Sequence, residues 1–179
     1  MNNILKNLVT IASSQVGVRE QGGNNLGKEV KEYQKATFLA PGAWPWCAAF
    51  VCWCIREWLV KTNGAAEALG IKSDETIYWR PKTAGAFDFI NWAKRSNLYV
   101  TDEKEPAKAG DLVVFDFSHI GIVAADQLPG KDYIETIEGN TNVKGERDSV
   151  SGDGVWRKQR KVNLVRAYIR LLKDQPVIS

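Results

Sequence analysis

Cys47 follows the loop PGAWPW (residues 41–46) and opens the segment CAAFVCWCIREWLVK, residues 47–61. Phe50, Val51, Cys54, Ile55 and Trp58 recur at helical spacing, which predicts a buried helix. Pro45 sits just ahead, where proline suits a helix start. Cys47 therefore falls in or just before the first turn. Backbone N–H groups are unpaired there, and the helix dipole favours negative charge. A thiol attacks a carbonyl well only as thiolate, and this position lowers its pKa. The same N–H groups can hold the oxyanion of a tetrahedral intermediate.

Such a thiolate needs a base, and the chain contains one histidine, His119, at the start of an expected strand. A third group must orient the imidazole and favour its protonated form. Glu138 and Asn140 close the next expected strand and share its parity, so both can face one site if the two strands are neighbours. Each of these residues alone has a plainer reading. A lone cysteine in an apolar helix is usually a small core residue, which is how Cys52 and Cys54 are read. A lone histidine is more often structural, and a lone glutamate more often solvated. The order of Cys at a helix start, His at a strand start and Glu-x-Asn at a strand end is far more specific. Zinc is disfavoured by helix geometry: Cys52 and Cys54 diverge by about 200°, and Cys47 and Cys54 are about 10 Å apart along the axis.

The elements that must position these groups follow from periodicity. Residues 4–16 and 28–35 read as helices, separated by the turn-forming stretch EQGGNNLG. Residues 62–82 read as loop-rich, and 83–97 as a helix with Thr83 as a possible N-cap. DLVVFDFSHIGIVAAD reads as two strands joined tightly, and YIETIEGN (133–140) as a third. VWRKQRKV (155–162) and VRAYIRLL (165–172) are the last strands, the alternation in them imperfect. Helices first and antiparallel strands second make the class α+β.

The length of 179 residues suits a single domain, 1–179, with a core of its own. A net charge of +3 is too mild to argue for nucleic acid, though it is compatible with an anionic partner. The three cysteines are clustered and odd in number, a poor disulfide framework, so reduced thiols are expected. No secretory leader is legible in MNNILKNLVTIASSQ, and no run of about 18 apolar residues could span a membrane.

The strings PWCAAFVCWC, GDLVVF, SHIGIV and IEGNT resemble the CHAP family (cysteine, histidine-dependent amidohydrolases/peptidases), which is related to the NlpC/P60 enzymes. GVREQGGNNLGKEVKEYQ is similar to the stretch leading into bacterial and phage members. The resemblance covers residues 12–141, and WCAAFV and HIGIV are its specific parts. It implies Cys47 as nucleophile, His119 as base, Glu138 as the acidic orienting residue and Asn140 as the asparagine that follows it. It implies a papain-like core, with the nucleophile's helix packed on an antiparallel sheet that carries the histidine. It also implies peptidoglycan as substrate, cut at the glycan–peptide amide or inside the stem peptide or cross-bridge. Residues 61–82 depart from the family as an insertion, and the link between FDF and SHIGIV is short. Some relatives bind calcium through an acidic loop, but residues 20–40 hold no dense Asp cluster, so no metal and no cofactor are expected.

Trp44 and Trp46 flank the nucleophile loop and could line a groove for a sugar or peptide. Tyr33, Gln34 and the 22–25 loop are candidates for an upstream group that helps bind substrate or oxyanion. The run Arg157, Lys158, Arg160, Lys161 reads as a solvated strand face or, more sharply, as a landing patch for anionic wall polymers. The expected partner is peptidoglycan, with no nucleic acid and no membrane insertion, for a monomer made in a bacterial or phage-infected cytoplasm. Action at the wall would then need release or delivery, through a holin or a secretion machine, with an immunity protein as a further partner of such an effector. A catalytically silent wall-binding module and an intracellular cysteine protease or acyltransferase are the rival readings.

Overall fold

The computed structural model describes residues 3–143 and 152–172. Helices α1 (Asn3–Ser13), α2 (Lys28–Gln34), α3 (Cys47–Lys61), α4 (Ala65–Ala68), α5 (Thr76–Trp79) and α6 (Asp88–Arg95) come first. Strands β1 (Tyr99–Thr101), β2 (Leu112–Phe115), β3 (Ile120–Val123), β4 (Tyr133–Thr141), β5 (Gly154–Lys161) and β6 (Val165–Arg170) follow. They form one antiparallel sheet in the order β1-β6-β2-β3-β4-β5. The architecture is α+β, with the N-terminal helices packed on the sheet. Among the described residues, no helix is long and apolar enough to cross a membrane.

The core is built by alternation. Leu112, Val114, Ile120, Ile122 and Ile137 face the helices, whereas Val113, Phe115, Val123 and Ile134 form a second cluster on the opposite face. α3 is the central helix: it packs against α1, α2, β3 and β4, and Trp58 Nε1 donates to the carbonyl of Ile4 at 2.8 Å. Its contact with β4 is close because Gly139 lies at the crossing. A Cβ there would come within 2.6 Å of Phe50 Cβ and 2.8 Å of Trp46 Cζ3. The end of β4, carrying Glu138 and Asn140, is thus drawn against the start of α3, carrying Cys47.

Three expectations shift. α1 ends at Ser13 rather than near Val16, because the chain beyond turns to pair with β5: Gly17 N–H donates to Val155 O, and Val155 N–H to Val18 O. Thr83 does not cap α6, which begins only at Asp88. Its hydroxyl accepts the Gly85 N–H and donates to Asp88 Oδ2 at 2.6 Å, a local turn that competes with helix. The 62–82 stretch holds two one-turn helices and is stitched down by Phe38 N–H to Lys82 O and by Arg80 Nη1 to Ala36 O.

Candidate active site

Cys47 is the first residue of α3, and Trp46 before it makes no side-chain cap bond. The loop leading in is rigidly held. Trp46 is fully buried, stacks on Tyr33 with ring centroids 5.5 Å apart, and donates from Nε1 to Glu20 Oε1 at 2.8 Å. Gln34 braces residues 42–44: its Nε2 donates to Gly42 O and Trp44 O, and its Oε1 accepts the Gly42 N–H. Tyr33 donates to Gln15 Oε1 at 2.8 Å. Trp46, Tyr33 and Gln34, expected as substrate contacts, are instead interior braces: their polar atoms are held by the fold, and none of the three borders the cleft that Cys47 and His119 share.

His119 is placed by the tight connection between β2 and β3. Phe115 N–H donates to His119 O at 2.9 Å, and Ser118 takes a left-handed φ of 58°. The ring is buried, and its plane lies 11° from that of Phe117, centroids 5.7 Å apart. Nε2 meets Glu138 Oε2 at 2.9 Å, which leaves Nδ1 as the ring nitrogen available to Cys47, and the two residues line the same cleft. Glu138 reaches the ring by crossing over Gly121, where a Cβ would stand 2.7 Å from Glu138 Cγ. Glu138 is itself fully buried. Its Oε1 accepts from Thr136 Oγ1 at 2.5 Å and from Arg160 Nε at 2.9 Å, and its Oε2 accepts from Arg160 Nη2 at 2.5 Å.

These contacts set the charges. Burial pushes the Cys47 thiol up, but the facing His119, its hydrogen bond and the backbone N–H groups of Ile120 and Ala48 carry it below the ordinary thiol value. Burial alone would lower His119. The facing Cys47 and the bond to Glu138 instead raise it to about 9. Burial would raise Glu138, yet Arg160 and His119 hold it down to about 2. By contrast, burial pushes Cys52 up to about 12 and Cys54 well above its usual range, so those two are core thiols. All three cysteines are free.

Cys47, His119 and Asn140 border one cleft, whose walls include Asn24, Asn25, Leu39, Trp44 and Phe117. Asn140 sits in a bulge of β4, where the register against β5 shifts between Glu138 and Thr141, and its φ of 54° is one that asparagine tolerates. Of the upstream candidates, Trp44 and the 22–25 loop reach the cleft. Among the described residues, no three His, Cys, Asp or Glu side chains are grouped to hold a metal.

The basic run on β5 is also corrected. Arg157 and Lys161 point outward, but Lys158 and Arg160 are buried, so the continuous landing patch does not exist. Arg160 is what the sequence reading missed, because its face is set by a strand register that no local pattern displays. Ile134 pairs with Arg160, Thr136 with Lys158 and Glu138 with Trp156, so Arg160 shares a sheet face with Glu138.

A thiol at a helix start and an imidazole share one cleft, and the imidazole's Nε2 meets a buried carboxylate, an arrangement that can stabilise a thiolate. The family model of the CHAP domain matches residues 40–140, more than half of the chain, and the chain belongs to the CHAP family. That family is generally one of hydrolases acting on peptidoglycan. The search of curated proteins and the search of solved structures each returned no match.

Proposed function

We propose that this chain cleaves an amide bond of peptidoglycan through a covalent thioester on Cys47, either at the N-acetylmuramoyl-L-alanine link or within the stem peptide or cross-bridge. The observation that carries the reading is that Cys47 and His119 border one cleft, with an imidazole nitrogen on a buried carboxylate. His119 holds the Cys47 proton, and the thiolate attacks the amide carbonyl. The backbone N–H of Cys47 stabilises the oxyanion, with Asn140 supplying an amide at the cleft wall. His119 then protonates the leaving amine, the C–N bond breaks, and water activated by the neutral imidazole releases the acid. Glu138 keeps the ring in the tautomer and plane this requires. Trp44 and Leu39, on the cleft wall, contact the substrate beyond the scissile bond.

Digestion of purified sacculi by wild type and by Cys47→Ala, with mass analysis of the fragments, tests the reading and names the bond. Soluble fragments with new amine and carboxyl ends are expected from wild type alone. Intact sacculi would instead favour an intracellular protease or acyltransferase, and solubilisation by Cys47→Ala would remove the thiol mechanism.

A further inference from the structure

Arg160 ranks with Trp46 and Trp58 among the largest fully buried side chains. A buried guanidinium is costly unless its charge is met, and here both oxygens of Glu138 meet it. Its Cζ also lies 5.5 Å from the ring centroids of both Phe115 and Phe117. Those two rings run nearly parallel to His119, at 25° and 11°. One side chain thus touches the groups that fix both the direction of the carboxylate and the plane of the imidazole. The planar fork matters: Nε and Nη2 hold the carboxylate at two points while Oε2 stays within 2.9 Å of His119 Nε2.

We propose that Arg160 is a positioning residue of the active site, clamping Glu138 against His119 and completing a buried row of alternating charge: thiolate, imidazolium, carboxylate, guanidinium. The proposal rests on the pairing of Cys47 with His119 described above. Without Arg160, the row carries a net negative charge once the thiolate forms, in a place where water cannot offset it. With Arg160 the row sums to zero. Among the described residues, the groups facing it are Cys47 from α3, His119 from the β2–β3 connection, and Arg160 and Lys158 from β5; β3 itself presents no charged side chain. Lys158 is turned aside, its Nζ on Asn142 O at 2.7 Å, and Asp116 in the connection is exposed.

Removing a cation raises the pKa of every neighbouring acid, so Arg160→Met must move the whole row toward alkaline pH. A merely structural arginine would lower the amount of folded protein without moving any midpoint. The test is the rate of Cys47 alkylation by iodoacetamide against pH, which needs no peptidoglycan. Cys47→Ala serves as the blank, and the thermal melt of each variant is recorded. Arg160→Met is expected to raise the acidic midpoint by about one pH unit or more, a roughly tenfold slower alkylation on that limb. Arg160→Lys keeps the charge but loses the fork, so its midpoint stays near wild type while digestion of sacculi falls several-fold. An unmoved midpoint in folded Arg160→Met overturns the proposal. If Arg160→Met does not fold, Arg160→Lys digesting sacculi like wild type overturns it. An ordinary thiol midpoint in the wild type would overturn the Cys47–His119 pairing itself, which is a separate result.

Discussion

Two arginine–carboxylate pairs lie on opposite flanks of the sheet. On β6, Arg170 grips Asp111, with Nε 3.1 Å from Oδ1 and Nη2 3.0 Å from Oδ2. On β5, Arg160 grips Glu138 in the same two-point way. Both carboxylates are fully buried. The neighbours differ. Asp111 also accepts the Lys108 N–H, and Arg170 reaches Pro106 O, so that pair ties the linker before β2 to the sheet. Glu138 shares its oxygens with Thr136 and with His119, a ring that gains and loses a proton. The same ion pair is thus a staple where it meets backbone, and it sets reactivity where it meets a titrating group.

The contrast can be broken most forcefully at the reactive end. Cys47→Ala should abolish digestion of sacculi, by roughly 10³-fold or more, with its melting temperature close to wild type. Glu138→Gln should lose about 10²–10⁴-fold in kcat, since a neutral amide cannot balance the imidazolium. It should also lose about 3–5 kcal/mol of stability, because Arg160 is left buried without its counter-charge. Arg170→Met should cost about 2–3 kcal/mol in denaturant titration, less than a fully buried pair, and leave the Cys47 alkylation midpoint in place. If Arg170→Met moved that midpoint as Arg160→Met does, the two pairs would not differ in kind. Trp44→Ala, on the cleft wall, should raise KM several-fold with little change in kcat.

The pH dependence sharpens the same comparison. His119 is raised to about 9, so the imidazolium survives through neutral pH and is lost as pH rises through that value. Because the Cys47 thiol is depressed, the thiolate is present below the ordinary thiol range. Activity should therefore span the interval between these two, with its alkaline limb near 9. An alkaline limb near the ordinary histidine value would mean that Glu138 and Cys47 do not hold the proton on the ring. Glu138, held down to about 2, contributes stability that is present above the ordinary glutamate range and lost as pH falls toward that value.

Much of this arrangement was legible before folding because it is local. The apolar spacing of residues 50–58 shows the central helix, and its start follows from Pro45 and the loop before it. The β2–β3 pair shows in two β-branched runs joined by DFSH, with His119 at the join. What was not legible depends on partners far away in the chain. Arg160 faces inward only because β5 pairs with β4 in one particular register, so its basic neighbours made it look like surface. Trp46, Tyr33 and Gln34 looked free to touch a substrate because nothing local shows that Glu20, Gln15 and the 42–44 backbone consume their polar atoms. β1 is three residues long, too short to display alternation, and exists through its pairing with β6.

The central claim is that the sulfur of residue 47, and neither of its two neighbours on the same helix, carries the reaction as a thiolate. Iodoacetamide labelling at about pH 6, where an ordinary thiol is almost wholly protonated, tests it when peptide mapping and sacculus digestion are followed together. One label on Cys47, with activity falling in proportion to labelling, is the predicted result. Full activity after complete labelling of Cys47, or label on Cys52 or Cys54 in its place, would contradict it.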